Sequence, residues 1–239
     1  VRQTDLKALL AYSTISQLGL IMCLLGLGSA ALYFDAGNEG TVYAIAIFAA
    51  LFHMVNHSTF KGSLFMLVGI IDHEIGTRDI RKLGGLLHVM PISFLIALTG
   101  SLAMAGLPPF NGFLSKELFF TSVLQAAEMP FFAMGTWGHI LVAAAWIASV
   151  FTFVYCMIVV FKTFFGEQKT DKLKKQAHEA PIGMLIPPLI LAGLVIAIFF
   201  YPDILSRYFL QPAWAAVLPS FAENPALQIE ISQWHGMNR

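Results

Sequence analysis

The chain has 239 residues, of which 57% are hydrophobic and only 12% charged, with 14 basic side chains balanced by 14 acidic ones. Soluble domains carry roughly 25% charged residues. A soluble fold of this length has no means of hiding so much apolar surface, so a mean hydropathy of +0.73 points to lipid as the cover, and a net charge of zero argues against a nucleic-acid partner.

A bilayer core of about 30 Å takes roughly 20 apolar residues as helix, and five stretches meet that test. The first covers residues 8–34, interrupted only by small polar residues and glycines. The second covers 41–71 and holds His53, His57 and Lys61. A third begins at Pro91, is broken by the Gly-Leu-Pro-Pro-Phe-Asn-Gly run of 106–112, and resumes to Ala127. The fourth covers 137–161. The fifth covers 181–201, with Pro187 and Pro188 expected to kink it. The fold class expected is all-α and integral to the membrane, with about five transmembrane helices of which the third is broken.

Loop charges orient these spans. Loop 35–40 carries Asp35 and Glu39 and no basic residue, loop 72–89 carries Arg78, Arg81 and Lys82, loop 128–136 has no basic residue, and loop 166–180 carries Lys169, Lys172, Lys174 and Lys175. Basic and non-basic loops alternate, so the positive-inside rule places the N-terminus in the cytoplasm. Two units follow: residues 1–201 as the bundle, and 202–239 as an interfacial segment leading onward. In that segment Tyr208, Trp214 and Trp234 are interface-type aromatics, and Pro212, Pro219 and Pro225 break the run. Val1 is not a start methionine, and Arg2, Asp5 and Lys7 precede the first apolar run without a signal-peptide pattern, so the chain reads as an internal fragment.

His53, His57 and Lys61 recur at i, i+4 and i+8, which sets them on one stripe of the second span over about 12 Å of helix. Histidine titrates near neutrality and lysine gives up its proton readily when desolvated. With waters between them, such a stripe is a proton wire. The competing reading makes His53 and His57 core residues bonded to neighbouring helices, and has Lys61 snorkel to the headgroups. Lys61 lies about ten residues from the end of its span, and a lysine at mid-membrane costs roughly 2.5–3.5 kcal/mol; function is the better reading for it, while each histidine alone fits either.

Pro108, Pro109 and Gly112 interrupt the third span at mid-depth. Unwound backbone there is tolerated only against protein or a watered cavity, and broken helices recur at transporter ion sites. Lys116 and Glu117 follow, expected at the start of the second half-helix, where a helix N-terminus opposes a cation and would help Lys116 release its proton. The alternative sets both at a surface helix–loop boundary. Asp5 and Lys7 open the first span, either as an anchoring flank or as part of the wire. Cys23 and Cys156 sit in apolar runs without metal-ligand spacing and read as small buried hydrophobes. No phosphate loop, nucleophile elbow or metal cluster is present, so no metal or cofactor is expected and a soluble enzyme has no support.

Three segments then carry a family resemblance. Residues 3–19 (Gln-Thr-Asp-Leu-Lys-Ala-Leu-Leu-Ala-Tyr-Ser-Thr-Ile-Ser-Gln-Leu-Gly), 51–65 with its His/Lys helix, and 106–117 with its broken helix resemble the antiporter-like subunits shared by respiratory complex I and Mrp-type antiporters. Residues 72–85 look more like the large A-type subunits of Mrp sodium/proton antiporters than like the chain L type of NADH–quinone oxidoreductase. The resemblance implies inverted five-helix repeats, with this chain as the second. It implies proton transfer by the residues matching Lys61 and Lys116, connected by the one matching His57, and it weights Lys7 toward function. It also implies a secondary transporter subunit in a bacterial plasma membrane, with other subunits, protons and sodium as partners.

Overall fold

The computed structural model describes residues 3–34, 38–128, 134–167, 175, 177–222 and 231. Asp35, Lys169, Lys172, Lys174, Pro225 and Trp234 lie outside them. The described chain is helical in its five apolar stretches, with a break in the third: α1 (Leu6–Gly28, continued by a 3₁₀ turn, Ser29–Leu32), α2 (Asn38–Ile75), α3 (Pro91–Ala105), α4 (Asn111–Ala127), α5 (Met134–Phe164) and α6 (Ile182–Phe200). Four helical segments are long and apolar enough to cross a membrane unaided: Leu6–Leu32, Gly40–Ile75, Gly138–Phe164 and Ile182–Phe200. α6 runs unbroken through Pro187 and Pro188.

The remaining span is divided between α3 and α4, and α2 supplies the ruler that establishes this. A Cβ on Gly100 of α3 would meet Leu64 of α2. Asn111, which opens α4, bonds Asn56 and Thr59, and Ser115 bonds His53. Further on, Phe119 and Val123 pack with Ala46, Ala49 and Ala50. Moving down α3 and α4 therefore means moving steadily up α2, so the two short helices are consecutive halves of one span running antiparallel to α2. α1 is antiparallel to α2 as well, since Ser13 lies at Lys61 and Gly28 at Ile47. α2 is the most buried of the long helices. It extends about 57 Å at 1.5 Å per residue, more than a bilayer core.

At the basic-loop end, polar contacts close the bundle. Asp5 caps α1, accepting from the Ala8 amide at 3.0 Å, and its carboxylate stands 3.3 Å from Arg78. Arg81 donates to Asp79 from Nε at 3.0 Å and from Nη2 at 2.8 Å, and these bonds hold the Asp79 carboxyl down at about 2. Glu179 caps α3: its Oε2 accepts from the amides of Ile92 (2.8 Å) and Ser93 (3.2 Å), and its Oε1 from the Ser93 hydroxyl (2.6 Å). This carboxylate satisfies orphan donors of α3 and ties the α5–α6 connection to it. Glu179→Ala is expected to cost about 1 kcal/mol, read as faster hydrogen exchange at the Ile92 and Ser93 amides with the rest of the bundle unchanged.

At the other end, residues 202–222 fold back on the start of α2 through α7 (Pro202–Leu205), a π-turn (Ser206–Leu210), α8 (Gln211–Val217) and α9 (Pro219–Ala222). Leu210, Trp214, Leu218 and Phe221 are buried with Tyr43 and Phe48 of α2 and Phe199 of α6. Trp214 donates its indole N–H to the Ala44 carbonyl at 2.8 Å, which satisfies the polar edge of a buried ring. Tyr208 is exposed.

Candidate functional site

The site is built around the break between α3 and α4. In a continuous helix the carbonyls of Met104 and Ala105 would accept from the amides of residues 108 and 109, but both are prolines and have no N–H. α3 instead ends on Gly106, whose φ of 82° is left-handed backbone that favours glycine. Its amide bonds Ala103 O at 3.0 Å and Leu102 O at 3.1 Å, and the Leu107 amide bonds Leu102 O at 3.1 Å. The backbone then returns so closely that a Cβ on Gly112 would overlap the Ala103 carbonyl.

One freed carbonyl has a specific occupant. Lys116 Nζ donates to Ala105 O at 2.9 Å, and its methylenes lie over Gly106, where a Cβ would strike them. Lys116 is buried. This corrects the electrostatic reading of the sequence. α4 begins at Asn111, so Lys116 stands in its second turn, past the first turn where the N-terminal dipole acts. Its amine reaches back to the carbonyl end of α3, where a helix favours positive charge.

His53, His57 and Lys61 all lie buried on α2. His53 Nδ1 is 3.0 Å from Ser115 Oγ, beside Lys116. The Ser115 hydroxyl also lies 3.3 Å from Gly112 O. It has one proton to give, to the imidazole or to the carbonyl, so the His53 tautomer follows its choice. The His53 and His57 rings are 6.4 Å apart, and the Nε2 of each is buried without a partner. Buried polar atoms are ordinarily bonded to protein or ordered water, and one water spans such a separation.

Lys61 is held by α1, donating to Leu10 O at 3.2 Å and to Ser13 Oγ. Cys156 of α5 is wholly buried. An amide latch holds the halves in register: Asn56 Nδ2 donates to Asn111 O (3.2 Å), while Asn111 Nδ2 donates to Asn56 Oδ1 and Thr59 Oγ1 (3.0 Å each).

The structure thus brings together His53, His57, Lys61 and Lys116 with Pro108, Pro109 and Gly112. It sets the remaining candidates elsewhere or at the margin. Lys7 is exposed in the first turn of α1, Asp5 is engaged as cap and ion-pair partner, and Glu117 is half-buried next to Lys116. Among the described residues no group of three or more His, Cys, Asp or Glu side chains could hold a metal ion. Sequence reasoning missed Ser13, Asn56, Asn111 and Ser115, polar residues whose partners lie on other helices.

Comparison with known proteins places this geometry among relatives. A family model described as NADH:quinone oxidoreductase/Mrp antiporter, TM, matches residues 1–142. The A-type subunit of the Na(+)/H(+) antiporter of Alkalihalophilus pseudofirmus is 59% identical over 239 residues, which is 100% of this chain and 30% of that relative; the chain therefore spans less than a third of the curated relatives it matches. A solved Mrp complex from Dietzia sp. superimposes with a TM-score of 0.71 at 32% identity, over 99% of this chain and 22% of that one. Respiratory complex I from Thermus thermophilus with bound NADH shares the fold, with a TM-score of 0.61 at 23% identity, over 92% of this chain and 40% of that one.

Proposed function

From the premise that the chain belongs to the NADH:quinone oxidoreductase/Mrp antiporter membrane family, we propose that it is the second five-helix repeat of an A-type subunit in a sodium/proton antiporter. On this reading residues 1–201 form a proton half-channel and residues 202–239 an interfacial segment. The subunit is a secondary transporter rather than an enzyme and works with other subunits. It is multi-pass in a bacterial plasma membrane, and the N-terminus of this segment is cytoplasmic.

One observation carries the reading: the stripe of buried His53, His57 and Lys61 on α2 meets Ser115 and Lys116 at the break in the third span. Buried ionisable groups at membrane depth are costly and mark ion pathways. Protons pass between Lys116 and His53 by way of Ser115, and between His53, His57 and Lys61 through bridging water. A neutral lysine amine accepts a proton that an ammonium has to give, so each lysine works by alternating between the two. Charge on one lysine disfavours charge on the next, and that repulsion couples proton entry to sodium exit. Glu117, next to Lys116, stands at the margin of this path, while Asp5 and Lys7 anchor the start of α1.

The test uses everted vesicles holding the complete parent complex, with a pH gradient imposed chemically and no electron donor. Sodium-dependent collapse of the gradient is the expected result. Proton movement that begins only when NADH is supplied would replace this reading with the chain L type of oxidoreductase subunit.

A further inference from the structure

α1 buries an amide, Gln17, that the proton path proposed above leaves without a task. Its place follows from the register of α1 on α2, which is fixed at three levels of the antiparallel pair. Ser13 meets the Lys61 amine, Ile21 and Leu24 pack with Ala46, Ala49 and Ala50, and a Cβ on Gly28 would strike Ile47. One turn separates Ser13 from Gln17 on α1, and one turn separates Lys61 from His57 on α2. Residues four apart share a helix face. One turn on from the contact of Ser13 with Lys61, Gln17 therefore stands opposite His57.

Gln17 is 1% exposed. Its Oε1 is buried without a hydrogen-bond partner, and so is Nε2 of His57. An unbonded polar group away from water costs about 1–3 kcal/mol, and a leucine at position 17 would fill the interface without that cost. Buried polar groups are ordinarily bonded to protein or to ordered water, and one water shared by the amide oxygen and the imidazole nitrogen serves both. Such a water needs two to four polar partners. Lys61 supplies a third: an ammonium has three N–H donors, of which Leu10 O and Ser13 Oγ take two.

We propose that Gln17 is a positioning residue, whose amide oxygen orients the water that carries protons between Lys61 and His57. The inference rests on Lys61 and His57 lying on the proton path. In the passage toward His57, the Lys61 ammonium gives a proton to the water, and the water gives one of its own to His57 Nε2 while that nitrogen is unprotonated. The amine is left neutral, the imidazole becomes an imidazolium, and the water is regenerated. The Gln17 oxygen accepts the water's other hydrogen throughout and takes no proton itself. The reverse passage recharges Lys61.

The experiment compares Gln17→Leu, Gln17→Met, Gln17→His, Lys61→Ala and Lys116→Ala in the complete complex reconstituted into proteoliposomes. Sodium-driven proton flux per assembled complex is measured in H2O and in D2O. Expected for Gln17→Leu and Gln17→Met is a fall on the order of tenfold or more with a larger solvent isotope effect, because transfer through an unoriented water becomes limiting. Gln17→His should restore flux, since an imidazole nitrogen accepts the water's hydrogen as the amide oxygen does. Wild-type flux in Gln17→Leu and Gln17→Met, with both lysine variants inactive, overturns the role of Gln17 and leaves the half-channel standing. A fall with an unchanged isotope effect overturns it too, as does a Gln17→His variant no faster than Gln17→Leu, because packing then accounts for the loss. Where Gln17→Leu fails to assemble, Gln17→Met, unbranched like glutamine, decides; failure of both makes the amide a packing element and overturns the proposal. Wild-type flux in the lysine variants overturns the reading on which the proposal rests.

Discussion

Lys116→Ala in the complete complex is expected to reduce sodium-dependent proton exchange by about 100-fold or more while the complex assembles normally. The side chain occupies a place prepared for it: a carbonyl that Pro109 cannot bond, a glycine under its methylenes, and Ser115 linking the neighbouring position to His53. On the proposed reading, removing it takes away a proton acceptor at the break and leaves the helices. Lys116→Arg separates the two roles that a cation could play here. The guanidinium can still donate to Ala105 O and keep the positive charge, but it holds its proton at every accessible pH. Exchange in Lys116→Arg should therefore be lost to the same extent as in Lys116→Ala. Wild-type exchange in the arginine variant would make Lys116 an anchor for the α3 terminus and remove it from the path.

The contrast between Lys116 and Ser13 explains which parts of the site were readable. Lysines and histidines in an apolar run are visible because their placement is costly, and i, i+4, i+8 spacing on one helix is enough to align them. The break was visible because two prolines and flanking glycines have backbone consequences that depend only on local chemistry. The second-turn position of Lys116 was not, because the sequence does not fix whether α4 begins at Asn111 or nearer the lysine. The direction in which Lys61 points was hidden for a different reason. On the α2 stripe it belongs with His57, yet the acceptors that hold it, Leu10 O and Ser13 Oγ, come from 48 or more residues away. The same holds for Ser13. A hydroxyl in an apolar helix gains meaning only from the helix packed across it, and that pairing is a property of the tertiary fold. The amide latch of Asn56 and Asn111 lay between these cases, since both residues stood in the segments singled out but their pairing depended on the register of α4 on α2.

Gly112→Ala is expected to have the largest effect on the protein itself. The added Cβ would overlap the Ala103 carbonyl and crowd the Ala103 backbone carbon. That obstacle belongs to the C-terminal turn of α3, which is already held by the bonds to Gly106 and Leu107, so no side-chain rotation relieves it. The second half-helix must withdraw, and as it does so Asn111 leaves Asn56 and Thr59 and Ser115 leaves His53. A cost of about 3 kcal/mol or more follows from overpacking with no room to relax, read as a large loss of assembled complex on native gels and a lowered Tm. Gly69→Ala on α2 is the control, because nothing in the chain lies within 4 Å of its Cβ position and alanine is the better helix former by about 1 kcal/mol. Gly106→Ala should fall between them. Left-handed backbone costs a non-glycine residue about 1–2 kcal/mol, and the new methyl meets the Lys116 side chain, which is flexible and can shift. That variant should assemble, yet exchange poorly, because the amine is driven from the Ala105 carbonyl. Normal assembly of Gly112→Ala would mean that α3 and α4 do not approach this closely, and the juxtaposition of His53, Ser115 and Lys116 would lose its structural basis.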